Sequence, residues 1–120
     1  ITPSHPDKWY VHMVSRSYYQ TLIQSGVKIY EYQPGFIHAK MCLCDDEAAM
    51  VGTANLDYRS LYLHYENAVL LYHTPVLAEI KKDIEETLEK SRLITIKELR
   101  SKLRGTNALC ALLKLLAPLM

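Results

Sequence analysis

Apolar residues recur along this chain at two different periods. Between residues 7 and 25, Val11, Val14, Tyr18 and Leu22 return at helical spacing, which predicts a helix with Gly26 as its stop. Short apolar or alternating runs then predict strands at residues 27–32 (VKIYEY), 36–44 (FIHAKMCLC), 48–52 (AAMVG) and 66–73 (ENAVLLYH). Gln33-Pro34-Gly35 and Asp45-Asp46-Glu47 are turns between them, and residues 53–65 are polar and irregular, with room for one helical turn. Thr74 as N-cap and Pro75 as first helical residue open a second helix. Its buried stripe is Leu77, Ile80, Ile84 and Leu88, and Lys81, Lys82, Asp83, Glu85 and Glu86 form a solvated face. Thr95 and Glu98 have capping-box spacing and open a third helix, ended by Gly105, and residues 107–120 close the chain as a nearly all-apolar helix. Ile1-Thr2-Pro3 reads as the tail of a strand, followed by a loop to Pro6. Strands interleaved with helices, some linked as hairpins, predict an α/β sandwich with a mixed sheet.

Composition narrows this picture only a little. The 120 residues are one domain's worth, 49% hydrophobic and 22% charged, which is globular rather than disordered. A formal net charge of +1 is unlike the strongly basic balance of a dedicated nucleic-acid binder, so nucleic acid is not an expected partner. Cys42, Cys44 and Cys110 have no zinc spacing and read as reduced, core-filling thiols. The chain begins at Ile1 and contains no apolar run of the ~20 residues that a membrane span requires, so it reads as a fragment of something longer.

The stretch HAKMCLCD (38–45) carries the chemistry. Alternation on a strand would set Ile37, Ala39, Met41 and Leu43 on one face and His38, Lys40, Cys42 and Cys44 on the other. His38 and Lys40 would then project side by side, whereas Asp45 has the opposite parity and stands at the strand's end. GTAN (52–55) follows in the loop after the hairpin partner, where Thr53 and Asn55 offer a hydroxyl and an amide suited to phosphate oxygens. Glu66, eleven residues further on, is the kind of carboxylate that fixes the tautomer of a functional histidine. Tyr58 and Arg59 lie beside the donor loop in sequence and are candidates to line a headgroup pocket. His5, His12, His64 and His73 are isolated and receive no role.

His38-x-Lys40, four residues, Asp45, six residues, then Gly52-Thr53-x-Asn55 fixes six positions in eighteen residues. This resembles the HKD signature of the phospholipase D superfamily, with Thr53 where serine is common. SRSYYQTLIQSGVKIYEYQPGFIHAK (15–40), NLDYRSLYLHYENAVLLY (55–72) and the ending LLKLLAPLM are similar to the second half of a bacterial cardiolipin synthase. Such enzymes carry two HKD motifs and N-terminal membrane segments, whereas this chain holds one motif and no span.

The resemblance implies a phospholipase D-like α-β-α sandwich half at residues 1–91, followed by a basic and apolar helical tail at 92–120. It implies phosphatidyl transfer between two phosphatidylglycerol molecules, giving cardiolipin and glycerol at a bacterial cell membrane with the catalytic part on the cytoplasmic side. In that chemistry one motif histidine attacks phosphorus and the other protonates the leaving group. His38, in the second motif, would be the general acid/base, Lys40 the charge on phosphate, Thr53 and Asn55 further donors, and Glu66 the group that orients His38. Asp45 would be structural, and neither metal nor cofactor is called for. The partner would be a second motif-bearing half or a second copy of the chain. A rival reading is a single-motif phosphodiesterase, nuclease- or phospholipase-like, that completes its site as a homodimer. The tail carries Arg92, Lys97, Arg100, Lys102, Arg104 and Lys114 against Glu98, and two readings of it stay open: contact with an anionic lipid surface, or docking on the other half.

Overall fold

A computed structural model describes residues 1–102, with side chains described as far as Leu99. The expected end of the third helix at Gly105, the apolar run 107–120, Cys110, Arg104 and Lys114 lie outside the described residues. The described chain forms two compact units, one built from residues 1–37 together with those from Lys90 onward, the other from His38–Glu89.

The first unit is a mixed three-stranded sheet with two helices. β1 (Thr2–Pro3) pairs in parallel with β2 (Tyr30–Tyr32), and β2 pairs antiparallel with β6 (Ser91–Leu93), giving the order β1-β2-β6. Helix α1 (Trp9–Gln24) ends as its sequence expects: Gly26 sits at φ 91°, its N–H reaches the Ile23 carbonyl at 3.1 Å, and the Val27 N–H reaches Leu22 at 3.0 Å. This is a Schellman closure, which needs a left-handed residue that glycine supplies without strain. The core joins Tyr19, Ile29, Ile94 and Leu99, with Ile23 packed against them. The inward stripe of α1 is therefore rotated by about one residue from the expected one: Val14 is buried, but Tyr18 and Leu22 are exposed while Tyr19 and Ile23 face the core. The reason lies in α3 (Ile96–Lys102), which packs on α1 and sets the direction of the core through Leu99, far along the sequence from Tyr19 and Ile23.

β6 was not expected, since Ser-Arg-Leu offers one apolar side chain and no alternation to detect. Its pairing with β2 builds residues 91–93, at the expected start of the tail, into the sheet. Arg92 is committed there as well, reaching Glu31 at 3.4 Å and Glu98 at 3.0 Å. Glu31 is 3% exposed and takes a second guanidinium, Arg16, at 3.4 Å. The capping box that opens α3 is present, with Glu98 Oε2 accepting from the Thr95 N–H at 3.0 Å and from its hydroxyl at 3.1 Å.

The second unit is an antiparallel meander, β3 (Lys40–Cys44), β4 (Ala48–Gly52) and β5 (Ala68–Tyr72), with α2 (Val76–Glu89) against β3 and β4. Met41, Leu43, Ala49 and Leu71 share one face of the sheet, and Ala49 on that face and Leu77 on α2 are the buried apolar residues of this unit. The other face carries Lys40, Cys42, Cys44, Met50, Leu70 and Tyr72. Cys42 and Cys44 are exposed free thiols rather than core fillers, because α2 lies across β3 and β4 while their face stays open. Residues 36–39 are not strand. β4 ends at Gly52, the partner of Lys40, so nothing is left for residues 36–39 to pair with, and the face-sharing expected of His38 and Lys40 does not rest on a ladder.

The β3–β4 turn is closed by the Glu47 N–H on the Cys44 carbonyl at 3.0 Å, with Asp45 at φ 49° and Asp46 at φ 58°. Two successive positive φ values belong to the primed turns that match strand twist, and aspartate tolerates them better than most residues. At the entry to α2, Thr74 lends its carbonyl to the Leu77 N–H at 3.1 Å, but its hydroxyl is buried with no hydrogen-bond partner among the described residues. The side-chain cap expected of Thr74 is thus not formed.

Candidate functional site

Register decides what meets at one end of the second unit. Lys40 pairs with Gly52, and Gly52 with Ala68, so the starts of β3 and β5 and the end of β4 coincide. Lys40 therefore stands next to the two loops that carry Thr53 and Glu66. The close approach depends on Gly52: a Cβ there would lie 2.3 Å from the Asn67 carbonyl oxygen and 2.6 Å from the Ala68 Cβ. Without that Cβ, the Thr53 N–H bonds the Asn67 carbonyl at 2.9 Å and the Asn67 N–H bonds Thr53 Oγ1 at 3.0 Å, extending the ladder one step past the strands.

Thr53 uses its hydroxyl in both directions. It accepts from Asn67 and donates to Glu66 Oε2 at 2.5 Å, a carboxylate being the stronger of the acceptors within its reach. The proton expected for phosphate is thus given to Glu66. That carboxyl is held below its usual range, first by the Thr53 hydroxyl, then by the Ser60 hydroxyl, with a smaller contribution from the Lys40 charge. Lys40 Nζ also donates to the His38 carbonyl at 2.7 Å, folding its ammonium back along the segment that carries His38. His38 itself is exposed, as is Asn55, two residues past Thr53.

Asp45 stands at the other end of β3, about 16 Å from Lys40 at ~3.3 Å per residue. Its Oδ2 lies 3.5 Å from the Cys44 thiol, and burdening that thiol with a carboxylate neighbour raises its pKa. The basic side chain at this turn, Lys81, pairs with Asp46, 2.5 Å away, rather than with Asp45. A shallow cavity lined by Asp46, Thr74, Pro75, Leu77, Ala78 and Lys81 is at that end too, apart from Lys40, Thr53 and Glu66.

The structure brings to the cluster Arg59, already a candidate for lining a pocket, together with Ser60 and with His64, to which the sequence assigned no role. Residues 59–63 (Arg59–Leu63) form a single π turn, closed by the His64 N–H on the Arg59 carbonyl at 2.7 Å, and the Ser60 N–H is capped by Asp57 Oδ1 at 2.8 Å. The five-residue closure puts the side chains of residues 59 and 64 together. Arg59 donates to His64 Nε2 from Nε at 3.2 Å and from Nη2 at 2.9 Å, and His64 Nδ1 lies 4.0 Å from Glu66 Oε1. An α-helical spacing would pair Arg59 with Leu63, so this contact had no signal in the sequence; π turns are rare and recur at functional sites. Tyr58 stacks toward Tyr62 across the same turn, ring centres 5.9 Å apart.

An antiparallel sheet end that gathers a lysine, a hydroxyl-held carboxylate and an Arg–His pair is suited to binding and turning over an oxyanion ester. Comparison with known proteins gives this arrangement its family: residues 1–88 match the family described as "Cardiolipin synthase, PLD-like domain", and the chain belongs to it. The chain is 46% identical over its whole length to an uncharacterized protein of Streptococcus mutans. It is 38% identical, again over its whole length, to cardiolipin synthase 2 of Bacillus anthracis and to a cardiolipin synthase of a Geobacillus species. It spans about a quarter of the length of these relatives, 26%, 23% and 24% respectively. No solved structure matches it. Among the described residues no helix is long and apolar enough to cross a membrane.

Proposed function

We propose that this chain is the C-terminal catalytic part of a phospholipase D-type phosphatidyltransferase that joins two phosphatidylglycerol molecules into cardiolipin and glycerol. The observation that carries the reading is the meeting of Lys40, Thr53 and Glu66 at one sheet end, beside the segment bearing His38, in a chain of the cardiolipin synthase family. In the proposed reaction a histidine outside this chain attacks the donor's phosphorus. The P–O bond to the departing glycerol breaks as His38 gives that oxygen a proton. His38, now neutral, takes the proton of the acceptor phosphatidylglycerol's hydroxyl, which attacks the phosphohistidine and frees the first histidine. Lys40 compensates the phosphate charge, Asn55 donates to its oxygens, and Glu66 orients His38. Asp45 acts through the turn it holds. No step requires a metal.

A second motif-bearing segment must complete the site, and the surface is consistent with one. Met50, Leu70 and Tyr72 are exposed along the sheet face that begins at Lys40, and Leu56, Leu61, Tyr62, Leu63 and Tyr65 are exposed just before Glu66. An apolar surface of this extent beside a site calls for a covering partner.

The test uses the complete enzyme on phosphatidylglycerol vesicles. His38→Ala should lower cardiolipin formation by about 10²–10⁴-fold at unchanged melting temperature. Unchanged turnover would remove His38 from the mechanism. Phosphatidic acid as the main product, in place of cardiolipin, would shift the reading to a hydrolytic phosphodiesterase. Phosphatidylglycerol turnover by the 120-residue chain as a demonstrated monomer would sink the two-segment site.

A further inference from the structure

We propose that Arg59 and His64 are positioning residues of this site: Arg59 locks the His64 ring in the neutral tautomer that carries its proton on Nδ1, and that nitrogen faces and steadies Glu66. The inference rests on the phosphatidyltransferase reading only for its consequence in turnover, since the tautomer itself follows from geometry.

Guanidinium nitrogens can only donate. Two of them within 3.2 Å of Nε2 oblige that atom to be the acceptor, so the proton of a neutral ring resides on Nδ1. Nδ1 is the nitrogen 4.0 Å from Glu66 Oε1. Glu66 is thereby met by the Thr53 hydroxyl from the β4 end, by the Ser60 hydroxyl from the π turn and by His64 just past that turn. The π turn makes this possible, because only an i→i+5 closure aligns Arg59 with residue 64. Asp57 fixes the start of that turn through the Ser60 N–H, so a run of four residues, 57, 59, 60 and 64, is organised around one carboxylate. A carboxylate whose task is to hold another side chain must itself be immobile, and a displacement of an ångström at such a group is costly in rate.

The tautomer is read directly. In the ¹⁵N-labelled 120-residue chain at neutral pH, two-bond ¹⁵N–¹H spectra resolve the five histidine rings, and the His64→Asn variant assigns residue 64 by its missing signals. The expected result is a His64 ring protonated on Nδ1, which Arg59→Met converts to the Nε2-protonated form while the other four rings keep their signals. A wild-type ring protonated on Nε2, or one unchanged by Arg59→Met, overturns the proposal. The consequence is read in the complete transferase. His64→Phe should lower kcat by about ten- to a hundredfold with little change in KM. His64→Asn, whose carbonyl can accept from Arg59 while its amide donates toward Glu66, should restore most of it. Equal kcat for His64→Phe and wild type, or an effect on KM alone, also overturns it. If the wild-type enzyme forms no cardiolipin, the functional reading fails while the tautomer result stands.

Discussion

The Thr53 hydroxyl lies 2.5 Å from Glu66 Oε2 and joins two loops thirteen residues apart in sequence. It is the largest cause of the lowered Glu66 pKa, so its removal has a signed consequence. A carboxyl whose folded pKa lies below its ordinary 4.5 stabilises the fold fully above that pH, and the contribution disappears as pH falls through the folded value. Thr53→Val should therefore melt below wild type by a constant margin above about pH 5, and the two melting curves should converge as the solution is acidified. Thr53→Ser should follow wild type throughout. A margin for Thr53→Val that is independent of pH down to the acid limit would disconnect Thr53 from Glu66.

Gly52 is where β4 passes closest to β5. Gly52→Ala places a methyl 2.3 Å from the Asn67 oxygen, and the contact is with backbone, which cannot swing aside. The expected loss is about 1–3 kcal/mol by chemical denaturation. In the complete enzyme, activity should fall further than the folded fraction does, because the strain falls on the loop that holds Thr53. An unchanged denaturation midpoint would mean that the strands do not approach as described.

Asp45 and Asp46 share the left-handed turn between β3 and β4 but differ in partners. Asp45→Asn should leave the melting temperature nearly unchanged, since asparagine tolerates a positive φ. Asp45→Val should cost about 1–2 kcal/mol, because a β-branched residue does not. Neither change should alter the pH dependence of turnover, given the ~16 Å to Lys40. A shifted pH profile in Asp45→Asn would bring that carboxylate into the chemistry.

Glu31 is buried between Arg16 and Arg92 and ties β2 to both α1 and β6. Glu31→Ala removes the buried acceptor that Arg16 and the solvent-exposed Arg92 share, and should cost about 1–2 kcal/mol by denaturant titration, between the scales of an exposed and a buried ion pair. A loss under about 0.5 kcal/mol, as for a fully exposed pair, would mean that Glu31 does not tie β2 to α1 and β6.

Much of this protein was legible in its sequence because the forces involved are local. Gly26 stops α1 because a left-handed residue is needed within one turn, Thr95 and Glu98 cap α3 three residues apart, and the β3–β4 hairpin closes at Asp45-Asp46. His38, Lys40, Thr53, Asn55 and Glu66 could be named as candidates because the spacing of chemically capable residues is itself a local pattern. What tertiary structure decided is everything that a distant strand or helix sets. The end of β4 at Gly52 denies residues 36–39 a ladder, so His38 stands before the strand rather than on it. The packing of α3 turns α1 so that Tyr19, not Tyr18, reaches the core. The Thr53 proton goes to Glu66 because strand register brings a carboxylate to it, and the sequence by itself holds no record of that distance. The Arg59–His64 pair exists because five residues, not four, close its turn, and a period of 3.6 cannot foretell an i→i+5 bond.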